Sequence, residues 1–378
     1  DVLEYSSIET GRISISQEPF DLVQPLGDVV EALSPQALLK GLELVLIVAP
    51  DVPRYVVGDA VRLRQVLLNL MSNAVRFTPK GRVVLRVELP QGSAAPSQHG
   101  GNWLHFNVTD TGPGIPEDVL TTIFDRFGQS DLPSPRKFGG SGLELAISKK
   151  LVELMGGRVG VRNLPETGAE FWIVLPMPFD KLKIAPRPAV LDGLHVVVLD
   201  ESPASRVAAA AMLARLNVDH DVTDTAAKVS GLLRDAMVED AQDLVLLLDE
   251  SIGKDSAPEI AAIVAPDSPL RSTRIILMTR DPDAMDPASH PFPITSLARK
   301  PMVRPEVLLE ALISSAALVP DSLATIDSSA GSQARTEPLV LLVDDDEIGR
   351  SVNSQLLARL GCVVKLAADG AEAIEQAR

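Results

Sequence analysis

One stretch of the sequence, Asp110-Thr111-Gly112-Pro113-Gly114-Ile115-Pro116, combines residue types that could bind a polar ligand. The carboxylate of Asp110 follows an apolar alternating run, 103–108, and two glycines come soon after it. Glycine accepts backbone angles that other residues resist, and it lets a ligand approach the main chain closely. The stretch therefore indicates a carboxylate presented beside backbone shaped for a ligand. Taken alone, it is also typical of an ordinary turn between a strand and a helix.

A second stretch, 58–81, places two amides and one cation at helical spacing. Asn69, Asn73 and Arg76 stand at positions i, i+4 and i+7, so they share one helix face. Two amides and a cation in one row suit phosphate oxygens and a hydrated cation, and asparagine is a poor choice for a merely solvated helix face. Ordinary surface amides are the alternative interpretation.

The apolar pattern predicts the elements that position these residues. A helix capped by Asp59 is expected to bury a stripe formed by Val66, Leu67, Leu70 and Ala74. Further helices are predicted at 1–11, 22–39 and 145–155, and strands at 12–20, 42–48, 83–89, 103–108, 158–161 and 170–175.

A polar loop rich in glycine and proline, 128–141, leads into the helix predicted at 145–155. Glycines just before a helix N-terminus form a phosphate cradle, because the free N–H groups and the helix dipole both favour anions. The sequence therefore predicts a lid-like loop and a phosphate-binding helix start.

Four motifs in this order resemble the catalytic ATP-binding domain of two-component sensor histidine kinases, in the GHKL ATPase superfamily. They are the Asn-bearing helix, DTGPGIP, IFDRFGQSD and GGSGLELAISKKLVELMGG, and the resemblance covers 59–175. Residues 1–20 resemble the end of the family's dimerisation helix and the strand after it. The resemblance implies a GHKL two-layer α/β sandwich with ATP and Mg²⁺ as ligands.

The resemblance also implies a role for each matching residue. Asp110 would accept a hydrogen bond from the adenine amino group, and Gly112 and Gly114 would let the chain pass close to the nucleotide. Asn73 would hold Mg²⁺ between the phosphates. Other residues are implied to contact the nucleotide or assist transfer: Asn69, Arg76, Phe127, Gly140, Gly142 and Leu143.

Two departures from the family pattern bear on activity. Glu144 stands where the family has a further glycine, and a carboxylate near the triphosphate would repel it; the alternative is an ordinary first-turn acid that points to solvent. None of the five histidines lies in the setting of a phosphoacceptor. The acceptor is therefore expected upstream of Asp1, and this fragment alone is not expected to phosphorylate itself.

The second half alternates apolar strands with helical runs, which predicts a doubly wound parallel sheet. Strands are predicted at 194–199, 244–248, 274–278 and 294–298, with helices at 204–216 and 306–315. Such sheets bind ligands at the carboxyl ends of their strands. Acids, a hydroxyl and a lysine recur at those ends, so the sequence predicts a polar site there.

Residues 192–317 resemble a response-regulator receiver domain of (βα)5 fold. The resemblance implies that Asp249 is the phosphoacceptor and that Asp200 and Glu201 join it in binding Mg²⁺. Thr279 and Lys300 would contact the phosphoryl oxygens. The match is loose: the turn after Asp249 lacks the usual Met-Pro, Arg280 stands where a small residue is usual, and Leu297 replaces a common aromatic. A divergent receiver that signals by docking is the alternative.

A further strand, 338–343, begins what resembles a second receiver, and Asp344 and Asp345 would be its Mg²⁺ ligands. The chain ends before the strand that would carry the phosphoacceptor of that domain. The predicted divisions are the dimerisation-helix end at 1–20, the ATP-binding domain at 21–180, a linker at 181–191, the receiver-like domain at 192–318, a linker at 319–337 and the truncated receiver at 338–378.

Composition narrows the function classes. The chain has 378 residues, a formal net charge of −16 and a single cysteine, Cys362. The negative charge argues against a general binder of nucleic acid or anionic membranes, and one cysteine allows no internal disulfide, which fits a cytoplasmic protein. No apolar run is long enough to cross a bilayer, although a full-length protein could still be membrane-anchored. Both ends fall within predicted helices, 1–11 and 371–378, which indicates a fragment.

The leading hypothesis is the ATP-binding and receiver part of a hybrid sensor histidine kinase, a protein histidine kinase in a phosphorelay. Phosphoryl groups would pass from ATP to an upstream histidine and on to receiver aspartates. The expected partners are the upstream helices, which imply a homodimer, and a downstream phosphotransfer protein or response regulator. A scaffold with an ATP site crippled by Glu144 is one alternative. A GHKL ATPase of the DNA-repair or chaperone type is another, but such proteins generally carry an acid where this chain has Asn69.

Overall fold

The computed structural model describes most of the chain. The described residues are 6, 8, 10, 12–90, 103–125, 143–179, 191–239, 241–252, 256–282, 285–317, 339–343, 363–369 and 373. Several predicted segments lie outside them: the helix at 1–11 for the most part, the lid at 128–141, both linkers and most of the second receiver. The chain forms two compact units, Asp1–Leu312 and Ile313–Arg378.

The first half of the first unit is a two-layer α/β domain, as the sequence predicts. Its elements, in chain order, are β1 (Glu18–Asp21), α1 (Val23–Leu39), β2 (Glu43–Val48), β3 (Tyr55–Gly58), α2 (Ala60–Phe77), β4 (Arg82–Glu88), β5 (Trp103–Asp110), α3 (Glu117–Leu120), α4 (Glu144–Leu154), β6 (Arg158–Asn163) and β7 (Ala169–Pro176).

Five strands of this domain form one mixed sheet in the order β2-β4-β5-β7-β6. Only the β2–β4 pair is parallel, and the β6–β7 hairpin predicted from the sequence is confirmed as antiparallel. Helices α1, α2 and α4 bury their apolar sides together with one face of the sheet in a single core. The sheet thus serves as a platform that fixes the positions of the helices.

One predicted strand is shorter than expected. The alternating residues of 12–20 predict a strand over the whole range, but only 18–21 finds a partner, in antiparallel pairing with β3. Ile13 and Ile15 still pack against the core from an irregular segment. The alternation of 12–17 therefore reflects burial on one side without a neighbouring strand. Strand β3 was not predicted, because Pro50 and Pro53 just before it favour a break.

Helix α2 carries the Asn/Arg row, and its local sequence explains its position. The Asp59 side chain accepts a hydrogen bond of 2.9 Å from the backbone N–H of Arg62, which caps the helix as predicted. The opposite side of the helix is buried, and its apolar stripe comprises Leu63, Val66, Leu67, Leu70 and Ala74. Burial of this stripe turns Asn69, Asn73 and Arg76 toward α4.

The second half of the first unit is the predicted doubly wound domain. Its elements are β8 (Leu194–Leu199), α5 (Pro203–Arg215), β9 (Asp219–Thr223), α6 (Ala226–Val238), β10 (Asp243–Asp249), α7 (Ala257–Ile263), β11 (Arg274–Thr279), a 3-10 turn (Pro287–Ser289), β12 (Ser296–Arg299) and α8 (Pro305–Ala317), which continues into the second unit.

All strand pairs of this sheet are parallel, and the strand order is β12-β11-β10-β8-β9. Each face of the sheet has its own core: α5 and α8 cover one face, and α6 and α7 cover the other. Strand β9 was not predicted, because 219–223 is mostly polar and gives little strand signal. Helices α6 and α7 were not predicted either. The reversal of strand order between β8 and β10 brings Asp200 and Asp249 to one edge of the sheet.

The second unit contains two described strands, β13 (Leu339–Val343) and β14 (Val363–Ala367), which pair in parallel. Parallel pairing agrees with the predicted start of a second α/β domain. Asp344 and Asp345, the predicted Mg²⁺ ligands, lie outside the described residues. Across the described ranges, no helix combines the length and hydropathy that a membrane span requires.

Candidate functional site

The predicted row of polar side chains on α2 forms a continuous hydrogen-bond chain. The Asn73 amide donates to Oδ1 of Asn69 at 3.1 Å, and Arg76 Nη2 donates to Oδ1 of Asn73 at 2.5 Å. The Asn69 amide donates across to α4, to the Glu144 carbonyl and to Ser148 Oγ, each at 2.6 Å. The row therefore lies at the contact between α2 and α4, and Ser148 is a member that the sequence did not reveal.

A cavity of about 310 Å³ opens beside this row. Asn69, Arg76, Glu144 and Ser148 line it together with residues of α1 and α2. Asn73 is buried next to it and reaches the cavity wall through its bonds to Asn69 and Arg76. A cavity lined by amides, a hydroxyl and a guanidinium has the donors that an anionic ligand needs.

Glu144 faces the same cavity. It is the first residue of α4, its side chain is 35% exposed, and its Oε2 lies 4.0 Å from Arg76 Nη2. The alternative interpretation, an acid that points to solvent, requires the side chain to turn away from the row. The side chain turns toward the row instead. Its carboxylate lies where it competes with an incoming anion for Arg76.

Asp110 ends β5 and is 7% exposed. Its Oδ1 accepts a hydrogen bond of 2.8 Å from the backbone N–H of Gly112. Burial raises the pKa of Asp110 above the ordinary aspartate value, and hydrogen bonds from the backbone N–H groups of Gly112 and Ala169 offset part of that rise. A buried carboxylate with spare oxygen lone pairs is suited to accept a hydrogen bond from a ligand amino group.

The glycines after Asp110 meet a steric requirement. A Cβ at Gly112 would lie 2.8 Å from Asp110 Oδ1 and 3.3 Å from the carbonyl oxygen of Phe77, the last residue of α2. Gly114 has a φ of +76°, which disfavours other residues. The loop after Asp110 is thus packed against the end of the helix that carries the Asn/Arg row, which joins the two predicted halves of one site.

Two further residues hold this loop, and the sequence analysis did not find them. Asn163, at the end of β6, bonds both the N–H and the carbonyl of Ile115, at 2.8 Å and 2.6 Å. Thr167 Oγ1 donates to the carbonyl of Gly112 at 2.7 Å. Both lie in or beside the β6–β7 turn, and an Asn and a Thr near a turn have no periodicity that would distinguish them from ordinary turn residues.

The remaining predicted nucleotide contacts divide in two groups. Leu143 is buried immediately before α4. Phe127, Gly140 and Gly142 lie outside the described residues. Their predicted roles as lid anchor and phosphate cradle stay predictions.

In the receiver-like half, four of the five predicted residues meet. Lys300 Nζ bonds the Oδ2 atoms of Asp200, at 2.5 Å, and of Asp249, while Asp200 is 1% exposed and Asp249 5% exposed. The backbone N–H of Lys300 donates to the carbonyl of Thr279, which is fully buried at the end of β11. Glu201, the fifth residue, is exposed.

Each buried carboxylate has additional donors. Ser202 N–H and Ser205 Oγ bond the two oxygens of Asp200, and Ser251 N–H bonds Oδ1 of Asp249 at 2.8 Å. No group of three or more Asp, Glu, His or Cys side chains placed to hold a metal ion occurs in the part of the chain that the structure describes. As it stands, the ammonium of Lys300 is the cation shared by the two carboxylates.

Comparisons with known proteins identify a family that matches the first domain. Residues 58–178 match the family described as "Histidine kinase-, DNA gyrase B-, and HSP90-like ATPase". Sensor histidine kinase GacS of Pseudomonas protegens is 40% identical over 210 residues, which cover 55% of this chain and 22% of that protein. Sensory/regulatory protein RpfC of Xanthomonas campestris pv. campestris is 44% identical over 177 residues, which cover 47% of this chain and 24% of that protein.

A solved structure matches over nearly the whole chain. The crystal structure of full-length ShkA in complex with AMPPNP gives a TM-score of 0.61 at 29% identity, and the match covers 99% of this chain and 72% of that one. By contrast, the chain spans less than a quarter of the length of the two curated relatives.

The two-layer α/β fold of the first domain is of the GHKL type, and residues 58–178 within it match the model of the histidine kinase-, DNA gyrase B- and HSP90-like ATPase family. GacS is named a sensor histidine kinase, which confirms the resemblance inferred from the four motifs. ATP as the ligand class follows from the family of this domain.

Proposed function

We propose that this chain is the ATP-binding and receiver part of a hybrid sensor histidine kinase. The observation that carries the proposal is the junction of two predicted stretches: the Asn/Arg row lines a cavity, and the loop after Asp110 packs against the end of the same helix. In-line phosphoryl transfer needs mainly positioning and charge neutralisation. This arrangement supplies a hydrogen-bond acceptor at one end and amide and guanidinium donors at the other.

Each residue has a defined task in this proposal. Asp110 accepts a hydrogen bond from the adenine amino group, and Arg76 binds phosphate oxygens. Asn73 presents its amide oxygen where Mg²⁺ bound with ATP would be held, and the ion would neutralise phosphate charge. The amide oxygens of Asn69 and Asn73 are hard ligands of the kind that Mg²⁺ prefers, so the donor set fits.

The acceptor histidine, the dimer partner and the downstream phosphotransfer protein or response regulator belong to the proposal as well. No surface here is proposed to bind nucleic acid or to contact a membrane directly, in keeping with the net charge of −16. The predicted cytoplasmic location and the predicted domain bounds stand as part of the same proposal.

The test is a calorimetric titration of the chain with Mg-ATP. Wild-type protein is expected to bind one ATP, and Asn73→Ala is expected to lose binding by about tenfold or more, since a hydrogen bond to a charged partner contributes about 1.5–3 kcal/mol. Gln17→Ala, an exposed change in an irregular segment, is the matched control. Equal binding by wild type and Asn73→Ala would overturn the assignment of the row.

A second candidate function, a scaffold that does not bind ATP, is favoured by one observation: Glu144 faces Arg76 at 4.0 Å. On this hypothesis the carboxylate already satisfies the guanidinium and keeps the nucleotide out. Absence of binding heat for wild type, together with restored binding in Glu144→Gly, would select the scaffold. Binding by wild type would reject it.

For the receiver-like half we propose that Asp249 accepts a phosphoryl group. An oxygen of Asp249 attacks phosphorus, a P–O bond forms, and the bond to the donor breaks with the electron pair leaving on the donor. Asp200 and Asp249 already share one cation, Lys300, so the pair suits Mg²⁺, which would neutralise the incoming phosphate. Glu201 is the proposed third ligand.

Intact-mass analysis after treatment with acetyl phosphate tests this role. One phosphate adduct is expected on wild type and none on Asp249→Ala. An adduct that persists in the variant, or no adduct on wild type, would reject Asp249 as the acceptor.

A further inference from the structure

The receiver-like domain packs against the ATPase domain within the first compact unit. Val45 and Ile47 of β2 and Val84 of β4 meet alanines of α5, which lie on the sheet face opposite the main core. Successive side chains of a strand point to opposite faces. The unbroken apolar run of β2 is therefore explained by burial on both faces, one of them under the receiver-like domain.

Charged contacts surround this apolar patch. Arg304, in the turn before α8, donates four hydrogen bonds to α1: to Gln24 at 2.6 Å, to Asp28 at 2.8 Å, and to the two oxygens of Glu31 at 2.7 Å and 3.0 Å. Its hydrogen bond to Glu31 raises the pKa of Arg304 above its ordinary value. Arg304 of the receiver-like domain thus binds the acidic side of α1 in the ATPase domain.

Gly27 makes room for this contact. It lies inside α1, where glycine costs about 0.5–1 kcal/mol relative to alanine, and a Cβ there would lie 3.3 Å from Arg304 Nε. Two further ties cross the interface: Arg54 pairs with Glu306 at 2.6 Å, and Arg215 donates to the carbonyl of Val52 at 2.5 Å.

The segment 300–304 connects this interface to the acidic cluster, which is the pair of buried carboxylates Asp200 and Asp249. Lys300 bonds Asp200 and Asp249, Met302 is buried in the receiver core, and Val303 is buried in the core of the ATPase domain. Arg304 follows directly with its four bonds to α1. Within five residues, the chain passes from the lysine that bonds the proposed phosphoacceptor, Asp249, to the docking contact at Arg304.

We propose that residues 300–304 couple Asp249 to the contact between the domains: a phosphoryl group on Asp249 weakens the docking of the receiver-like domain on the ATPase domain. The inference rests on the proposed acceptor role of Asp249. In the docked arrangement, Lys300 is held between the two carboxylates. A phosphoryl group takes one of those oxygens and presents new anionic oxygens farther out, so the ammonium must move toward them.

A shift of Lys300 reaches the interface because the residues that follow it, Met302 and Val303, are fixed by packing. Met302 and Val303 are 6% and 5% exposed in separate cores, so the backbone between them cannot move without disturbing one packing. Coupling of this kind is reciprocal: if a phosphoryl group on Asp249 weakens the docking by some factor, the undocked state favours occupancy of Asp249 by the same factor.

Distance measurement by pulsed electron spin resonance tests the proposal on the full chain. After Cys362→Ser, spin labels are placed at the exposed positions Lys80 and Lys228, one in each domain. Beryllium fluoride with MgCl₂ serves as the mimic of an aspartyl phosphate. Untreated protein is expected to give one narrow distance, and the mimic is expected to raise the population at other distances about fivefold or more.

Two variants release the docking without touching the acidic cluster. Arg304→Ala removes the bonds to α1, and Gly27→Leu fills the place of the guanidinium while leaving Arg304 present. Both are expected to broaden the distance and to tighten beryllium fluoride binding about fivefold. Arg234→Ala, an exposed change on α6 over the opposite face of the receiver sheet, is expected to change neither.

The outcomes separate the coupling from the acceptor role. If the fluorine resonance shows that beryllium fluoride binds but the distance stays narrow, the coupling is wrong and the acceptor role survives. If beryllium fluoride does not bind, the acceptor role fails. Asp249→Asn, which removes one ion pair of Lys300, then decides the coupling: a broadened distance supports it, and an unchanged distance overturns it.

Discussion

The ATPase domain and the receiver-like domain each place a cation among polar groups, but they leave it in different states. Arg76 lines an open cavity, where it donates a hydrogen bond to Asn73 and lies 4.0 Å from Glu144. Lys300 is 14% exposed and lies between two carboxylates that are almost fully buried. One cation lines a cavity that is open to solvent, and the other is enclosed by two buried carboxylates. The difference supports the proposed binding site in the first domain and the proposed acceptor site in the second.

Replacing each cation by methionine should separate the two sites most strongly. Lys300→Met leaves Asp200 and Asp249 buried without their cation and is expected to lower the free energy of unfolding by about 3–5 kcal/mol. Arg76→Met, at a partly exposed position, is expected to change it by less than about 1 kcal/mol. Urea unfolding followed by circular dichroism measures both. Equal losses of unfolding free energy in the two variants would contradict the difference between the two sites.

Removing the acceptor at the end of β5 should give the next largest effect. Asp110→Asn is expected to weaken ATP binding about tenfold or more, because the ligand loses a hydrogen bond to a charged acceptor. Calorimetry measures the loss, and Asp118→Asn, an exposed acid in α3, is the matched control. Full affinity in Asp110→Asn would place the adenine elsewhere.

The same variant carries a pH signature. Burial raises the pKa of Asp110 in the folded state, so the folded state keeps this proton to higher pH than the unfolded state does. In the unfolded state the carboxyl titrates at the ordinary aspartate value of about 3.9. Stability from the protonated group is therefore present at low pH and lost as pH rises through the folded pKa. The stability of Asp110→Asn relative to wild type is expected to rise over that window. A flat difference from urea unfolding across these pH values would contradict the raised pKa.

Neutralising Glu144 should give the smallest effect, and it sharpens the comparison because it acts only on the open site. Glu144→Gln keeps the shape of the side chain and is expected to tighten Mg-ATP binding about fivefold, since about 1 kcal/mol is typical of a solvated charge pair at 4 Å. The gain should shrink as salt is added. Weaker binding by the variant would show that the carboxylate assists the nucleotide.

The sequence predicted much of this arrangement, and the limits of that prediction have physical causes. Periodicity and capping located α2 and its polar row, because a helix fixes which side chains share a face. Sequence could not show that Glu144 turns toward Arg76, since that depends on how α4 packs against α2. Asn163 and Thr167 were missed because their roles come from contacts between segments distant in the chain.

The docking contact illustrates the same limit. An apolar run such as β2 predicts burial on both faces, but it does not identify what covers the second face. Gly27 inside α1 has the same kind of cause, because a Cβ there would lie 3.3 Å from Arg304 Nε, which belongs to a distant part of the chain. Coverage by a helix more than 150 residues away along the chain, at Arg215 against Ala49, is a property of the folded molecule alone.

Amide shift mapping by TROSY NMR with Mg²⁺ and AMPPNP tests the open site most directly. Amides of 69–76 and of 110–114 are expected to shift together along one saturation curve, while those of 249–251 keep their positions. Shifts confined to one of the two stretches, or shifts centred on 249–251, would contradict a single ATP pocket built from the Asn/Arg row and Asp110.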